Sequence, residues 1–191
     1  MNYDEFFSTP LGKKILEEEA RYVAKNLEGE IAVSIGCGTG IIERRIMEIK
    51  KVEIVGVELD DEMIKMASKR IEVIKADATA LPFKNASFDN AIFITSLEFI
   101  EDYRKTIDEA YRILKKEGKI VVILLNTSSS YFKERYERGG YIKRNIKHLD
   151  VNKIEEYIRK RFSVEKEEII DYDEALAIGM RGKKFHSINS L

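Results

Sequence analysis

Gly36, Gly38 and Gly40, interleaved with Cys37 and Thr39, follow directly on the apolar run Ile31-Ala32-Val33-Ser34-Ile35. Glycines lack a Cβ, so such a loop can turn sharply and come close to a ligand, and the helix start that follows leaves N–H groups free to donate to it. A second apolar run, residues 51–57, ends on the carboxylate Glu58, at the distance where a ribose-binding acid stands in a nucleotide site. A second acid, Asp77, lies just past the alternating run 71–75, on the rim where open α/β sheets take their ligands. Together these residues read as donors and acceptors for a nucleoside. The dinucleotide fingerprint needs a third glycine or alanine one residue after Gly40, and Ile41 stands there, which argues against NAD. A carboxylate at the ribose hydroxyls also repels a 2′-phosphate, so NADP fits badly.

No other chemistry competes with this one. Cys37 is the single cysteine, and His148 and His186 are far apart, which leaves no disulfide framework and no zinc-ligand spacing. Cys37 reads as a small packing residue of the loop rather than a nucleophile. For removing a proton from an acceptor, His148, Tyr131, Tyr136, Tyr141 and Glu98 are all open, and the catalytic residue is undetermined. Asp89 reads as a turn residue ahead of a strand.

The 191 residues are 44% hydrophobic, enough for one domain with a sizeable core, and the net charge of −1 supplies no global field for a polyanion. The charge is uneven: residues 131–162 hold ten Lys/Arg against five acids. Charged residues reach 35%, weighted to Lys and Glu with no glutamine or tryptophan, a thermophile-like composition. The first residues carry acids and aromatics rather than a basic flank, and no apolar run approaches the roughly 20 residues of a membrane helix. The expectation is a cytoplasmic protein with no membrane partner.

The elements that position these residues follow from periodicity. Thr9-Pro10 caps a helix with the stripe Leu16, Ala20, Val23 and Leu27, ending near Gly29. The aromatic and acidic segment 1–8 before it either staples that helix or covers the glycine loop. Asp60 or Asp61 caps a helix carrying Met63, Ile64, Ala67 and Ile71, and residues 71–75 return as a strand. Residues 91–95 are a fourth strand, residues 103–114 an amphipathic helix stopped at Gly118, and residues 120–125 a fifth strand. This alternation implies a parallel sheet. Residues 127–161 are long and poorly patterned, with Gly139-Gly140 as punctuation and one helix over 152–160.

In order, GCGTG, the strand ending at Glu58, ADATALPF, FDNAIFITSLEFIED and EAYRILKKEGKIVVILLN resemble the ubiquinone-biosynthesis-type class I S-adenosylmethionine-dependent methyltransferases over about residues 30–126. The resemblance implies an α/β, Rossmann-like three-layer sandwich with a mainly parallel seven-stranded sheet and an antiparallel last strand, the final strands falling near 162–170 and 175–181. It implies that Glu58 holds the ribose hydroxyls, with Leu59 beside it, that Asp77 and Ala78 meet the adenine, and that Thr95 and Leu97 lie along the methionine part. Gly36, Cys37, Gly38 and Gly40 complete that cofactor set for S-adenosylmethionine and its product S-adenosylhomocysteine. The chain then divides into an N-terminal cap helix (1–29), a cofactor core (30–126), an acceptor-side crossover (127–161) and the last strands with the tail (162–191). The expected reaction is methyl transfer to a small-molecule acceptor. The basic crossover keeps an RNA or other anionic-polymer acceptor as an alternative, and a non-catalytic cofactor-binding protein is a third. The oligomeric state is not legible.

Overall fold

A computed structural model describes residues 3–169 and 177–185. Strands β1 (Ile31–Ile35), β2 (Glu53–Glu58), β3 (Glu72–Lys75), β4 (Phe88–Ile94), β5 (Leu114–Leu125), β6 (Phe162–Ile169) and β7 (Ala177–Lys184) form one seven-stranded sheet in the order β3-β2-β1-β4-β5-β7-β6. β1 to β5 pair in parallel. β7 inserts between β5 and β6, antiparallel to both, so it alone runs against the rest. Of the expected last strand, residues 175 and 176 lie outside the described residues, as does His186.

Strand periodicity sorts the side chains into two cores. Val33 and Ile35 of β1, Ala91 and Phe93 of β4 and Ile120, Val122 and Leu124 of β5 face one side, against α5 (Tyr103–Ile113) and α8 (Val151–Arg159). Ala32, Ile92, Ile94, Val121 and Ile123 face the other, against α2 (Pro10–Asn26) and α3 (Ile41–Ile49). Each Ile or Leu so enclosed contributes about 1.5–3 kcal/mol through apolar surface removed from water. Strand order reverses at β1, whose neighbours are β2 and β4, and the glycine loop leaves β1 at this switch point, where open α/β sheets take their ligands.

Local boundaries depart from the periodic reading in four places. The N-terminal segment is itself a helix, α1 (Tyr3–Ser8), so the cap comprises two helices. α2 ends at Asn26, and Gly29 instead turns the chain against Asp89. α5 ends at Ile113 rather than at Gly118, because Leu114 already pairs with Phe88 and residues 115–118 form an irregularity before the register resumes at Lys119. The crossover holds α6 (Ser130–Glu137) and α7 (Tyr141–Asn145) besides α8; α6 buries only Phe132 and α7 buries nothing, so neither leaves a periodic stripe in the sequence.

Candidate cofactor site

The glycine loop closes on the end of β2. The Gly36 and Cys37 amides donate to Val57 O at 2.8 and 3.2 Å, and the Gly38 amide donates to Glu58 Oε2 at 2.9 Å. Gly36 and Gly38 sit at φ 73° and 55°, in the left-handed region that L side chains avoid. A Cβ at Gly36 would strike Ser96 Cβ at 2.7 Å, whereas one at Gly38 would meet nothing within 4 Å. The strand-end side of Gly38 is therefore open, and a side chain there would fill the crevice. Gly40 (φ 70°) starts α3.

Glu58 is fixed before any ligand arrives. Its Oε1 accepts from the Leu59 and Asp60 amides at 2.8 and 3.1 Å, and its Oε2 holds the loop at Gly38. A carboxylate has about four acceptor directions, so one is left for a ribose hydroxyl. Leu59 beside it is 60% exposed, an apolar face available to a flat ring. Asp60 caps α4 (Asp61–Ala67), accepting from Glu62 and Met63 amides. Asp77 is exposed past β3, and its Oδ1 accepts from the Thr79 amide and hydroxyl at 2.7 and 2.8 Å. These two bonds, the amide first, hold its pKa below the usual carboxylate range. Ala78 packs against the core beneath.

At the end of β4, Thr95 adopts φ 45°, a strained value for a β-branched residue that costs on the order of 1–3 kcal/mol and is typical of ligand sites. Leu97 is fully buried in the core, so its side chain supports the rim instead of lining it. Cys37 packs on Ala67 and Ile71; burial, reinforced by the Glu43 and Glu58 charges, pushes its thiol pKa well up, which suits packing and not nucleophilic attack. Asp89 is structural, its Oδ2 taking the Glu30 and Ile31 amides at 3.0 and 3.1 Å while Lys115 pairs with Oδ1 at 2.6 Å.

Several site features escape the sequence. Arg70 donates to Thr39 O at 2.8 Å and pairs with Asp4 at 2.6 Å, which straps α1 to the glycine loop. The N-terminal segment packs on α2 with Phe7 buried beside Ile15, and Arg70 links it to the glycine loop. Three acids are buried behind the loop: Glu19 (5% exposed), Glu43 (2%) and Glu98 (0%). Glu19 sits in the charged run Glu17-Glu18-Glu19, but its spacing from Ile15 and Val23 puts it in the middle of the buried stripe of α2. Glu98 Oε2 and Thr39 Oγ1 are buried with no hydrogen-bond partner, a cost of about 1–3 kcal/mol each that a polar ligand would relieve. Open space at Gly38, a strained Thr95, a preset carboxylate at Glu58 and these orphaned atoms fit S-adenosylmethionine.

Of the open candidates for a base, His148 Nε2 lies 3.0 Å from Ile100 O and 3.2 Å from Glu101 O, tying that ring nitrogen to the rim turn. Glu98 alone is buried beside the loop. Tyr141, 58% exposed, reaches the rim from the crossover, its ring 5.9 Å from Phe99. Partial desolvation of the ring face turned to the rim, then the nearby Glu58 and Asp60 charges, raises its phenol pKa.

A profile of the methyltransferase domain family matches residues 33–122. A Thermotoga maritima crystal structure described as an S-adenosylmethionine-dependent methyltransferase, possible histamine N-methyltransferase, superposes with a TM-score of 0.77 and 28% identity over 96% of this chain and 94% of that one. The uncharacterized protein MJ1123 of Methanocaldococcus jannaschii is 33% identical over 74% of this chain and 67% of its own length. A demethylmenaquinone methyltransferase of Thermotoga maritima is 31% identical over 50% of this chain and 44% of its own. The chain thus spans less than half of that relative. Among the described residues, no helix is long and apolar enough to cross a membrane.

Proposed function

This chain belongs to the class I S-adenosylmethionine-dependent methyltransferases, and from that premise we propose that it methylates a small-molecule acceptor by in-line displacement. S-adenosylmethionine supplies a sulfonium methyl already activated for displacement. The protein's own task is then to hold the two partners in line, which by itself removes about 7–11 kcal/mol of a bimolecular barrier. Glu58 takes the ribose hydroxyls, Leu59 and Ala78 flank the adenine with Asp77 at its edge, and the loop from Gly36 to Gly40 with Thr95 receives the methionine part. The acceptor enters from the crossover side.

The observation that carries a small acceptor is the state of the crossover's basic residues. Arg138 pairs with Glu134, Lys147 with Glu101, Lys153 with Asp150, Arg159 with Glu155 and Arg161 with Asp108. Arg135 and Lys143 lie over the rings of Tyr131 and Tyr136. A phosphate backbone would have to displace these partners. Beside them, Thr127, Phe132, Lys133, Tyr136, Glu137 and Leu149 line a cavity of 230 Å³, below the roughly 300–1,000 Å³ of drug-sized sites. Incubation with methyl-tritiated cofactor and separate small-molecule and RNA pools tests the reading. Label in the small-molecule fraction is expected; label only in RNA overturns it, and label in neither points to a binding protein without transfer.

A further inference from the structure

The crossover holds a cavity whose walls the fold ties to the cofactor rim. Thr127 follows the carboxyl end of β5, Leu149 precedes α8, and the Thr127 hydroxyl donates to Leu149 O at 2.8 Å, joining the two segments. Both segments hang on the turn after β4: Glu98 Oε1 accepts from the Leu125 amide at 2.5 Å, and Glu98 O accepts from the Lys147 and His148 amides at 2.8 and 3.1 Å. Ser96, which starts that turn, is the residue against Gly36 of the glycine loop. The remaining wall is α6, fastened at its start by Ser129 Oγ, which accepts from the Phe132 amide at 3.1 Å and donates to Asn126 O at 2.8 Å. Since β5 neighbours β4, the 230 Å³ space between these walls stands one strand from Thr95 on the same carboxyl rim.

The lining combines a ring-sized apolar surface with two opposite charges. Phe132 is buried and stacks on Tyr136, the ring centroids 5.9 Å apart and the planes 21° from parallel, and Leu149 adds an exposed apolar side chain. Such walls suit a flat ring. Lys133 and Glu137 line the same space. They are four residues apart on α6 with the lysine first, the less favourable order for a helix pair. Among the described residues neither side chain has an ion-pair or hydrogen-bond partner, whereas their neighbours Glu134 and Arg138 pair with each other.

A fixed cation and a fixed anion beside apolar walls complement a ligand that carries both charges and a ring. We propose that this cavity takes a zwitterionic aromatic amino acid as the methyl acceptor, its carboxylate on Lys133, its ammonium on Glu137 and its ring against Phe132, Tyr136 and Leu149. The proposal rests on the methyltransferase reading of this chain. Holding the charged end on α6 leaves the ring as the reacting end. In the transfer, a lone pair on a ring nitrogen or ring hydroxyl forms the new bond to the methyl carbon as the carbon–sulfur bond breaks. The sulfonium leaves as a neutral thioether, and the acceptor's proton passes to water.

Calorimetric titration of the full chain saturated with S-adenosylhomocysteine tests this with L-tyrosine, L-histidine and L-tryptophan, each beside its decarboxylated amine and its deaminated acid. At least one amino acid is expected to bind about tenfold or more tighter than both of its single-charge analogues. Lys133→Met and Glu137→Gln, at exposed positions without partners, should leave the melting temperature and the S-adenosylhomocysteine affinity as in the wild type, so loss of fold does not cloud the result. Each should weaken the amino acid about tenfold, while Lys133→Met spares the amine and Glu137→Gln spares the acid. An amine or acid that binds as tightly as its amino acid, amino-acid binding unchanged in both variants, or no binding of any of the three amino acids overturns the proposal and leaves the methyltransferase reading intact. Failure of S-adenosylhomocysteine to bind the folded chain breaks that reading, and this proposal with it.

Discussion

The cofactor half and the crossover differ in what holds them. Around the glycine loop, each functional group is fixed by backbone pairing: Glu58 by three amides, the loop by Val57 O, and Thr95 by a bond from its amide to Ile123 O at 2.8 Å. In the crossover, α6 buries only Phe132 and α7 buries nothing, the two meet where Lys143 lies over the Tyr136 ring, and Gly139 and Gly140 between them are both at positive φ. The proposed cofactor pocket is built on strand ends, while the proposed acceptor side is built from segments with little core of their own. This contrast predicts where substitutions act on affinity and where they do not.

Gly38→Val should have the largest effect. Its Cβ enters the open crevice, so cofactor affinity should drop about a hundredfold or more, near 3 kcal/mol, while the left-handed backbone adds strain of about 1–2 kcal/mol to the fold. A folded variant that binds cofactor like the wild type would remove the loop from the site. Glu58→Ala should follow, with a loss of about 1.5–3 kcal/mol in cofactor binding from its charge-assisted hydrogen bonds; unchanged affinity by calorimetry would release Glu58 from its role. Asp89→Ala sharpens the comparison within the same half. It removes two amide bonds and the Lys115 pair, so denaturant unfolding should show about 1–3 kcal/mol of lost stability with cofactor affinity intact. The smallest effect belongs to the crossover. Neutralising Lys143, Arg144 and Lys147 together should leave RNA binding negligible at physiological salt; a steep salt slope in the wild type, near −0.7 per phosphate contacted on a single strand and flattened by the triple change, would move the acceptor to RNA.

The strands and the rim were legible because a parallel strand buried on both faces writes an unbroken apolar run, and the acids that end β2 and follow β3 stand out against it. The same logic failed where position depends on distant partners. Glu19 follows Glu17 and Glu18 and Glu43 precedes Arg44 and Arg45, charged neighbours that mask the burial of both side chains. Arg70 gives no local sign that it joins Asp4 to Thr39 O. Leu97 matched the methionine-side segment in chain position, yet its side chain turns inward to the core. Tyr141 reaches the rim on a five-residue helix that buries nothing, a placement that no periodicity encodes.

The cofactor assignment carries everything else, and calorimetric titration of the intact chain with S-adenosylmethionine, S-adenosylhomocysteine and NAD tests it most directly. Saturable binding of the first two at one site per chain, with no heat from NAD, is the predicted result. Binding of NAD, or no binding of either sulfur nucleoside to a folded chain, would contradict it.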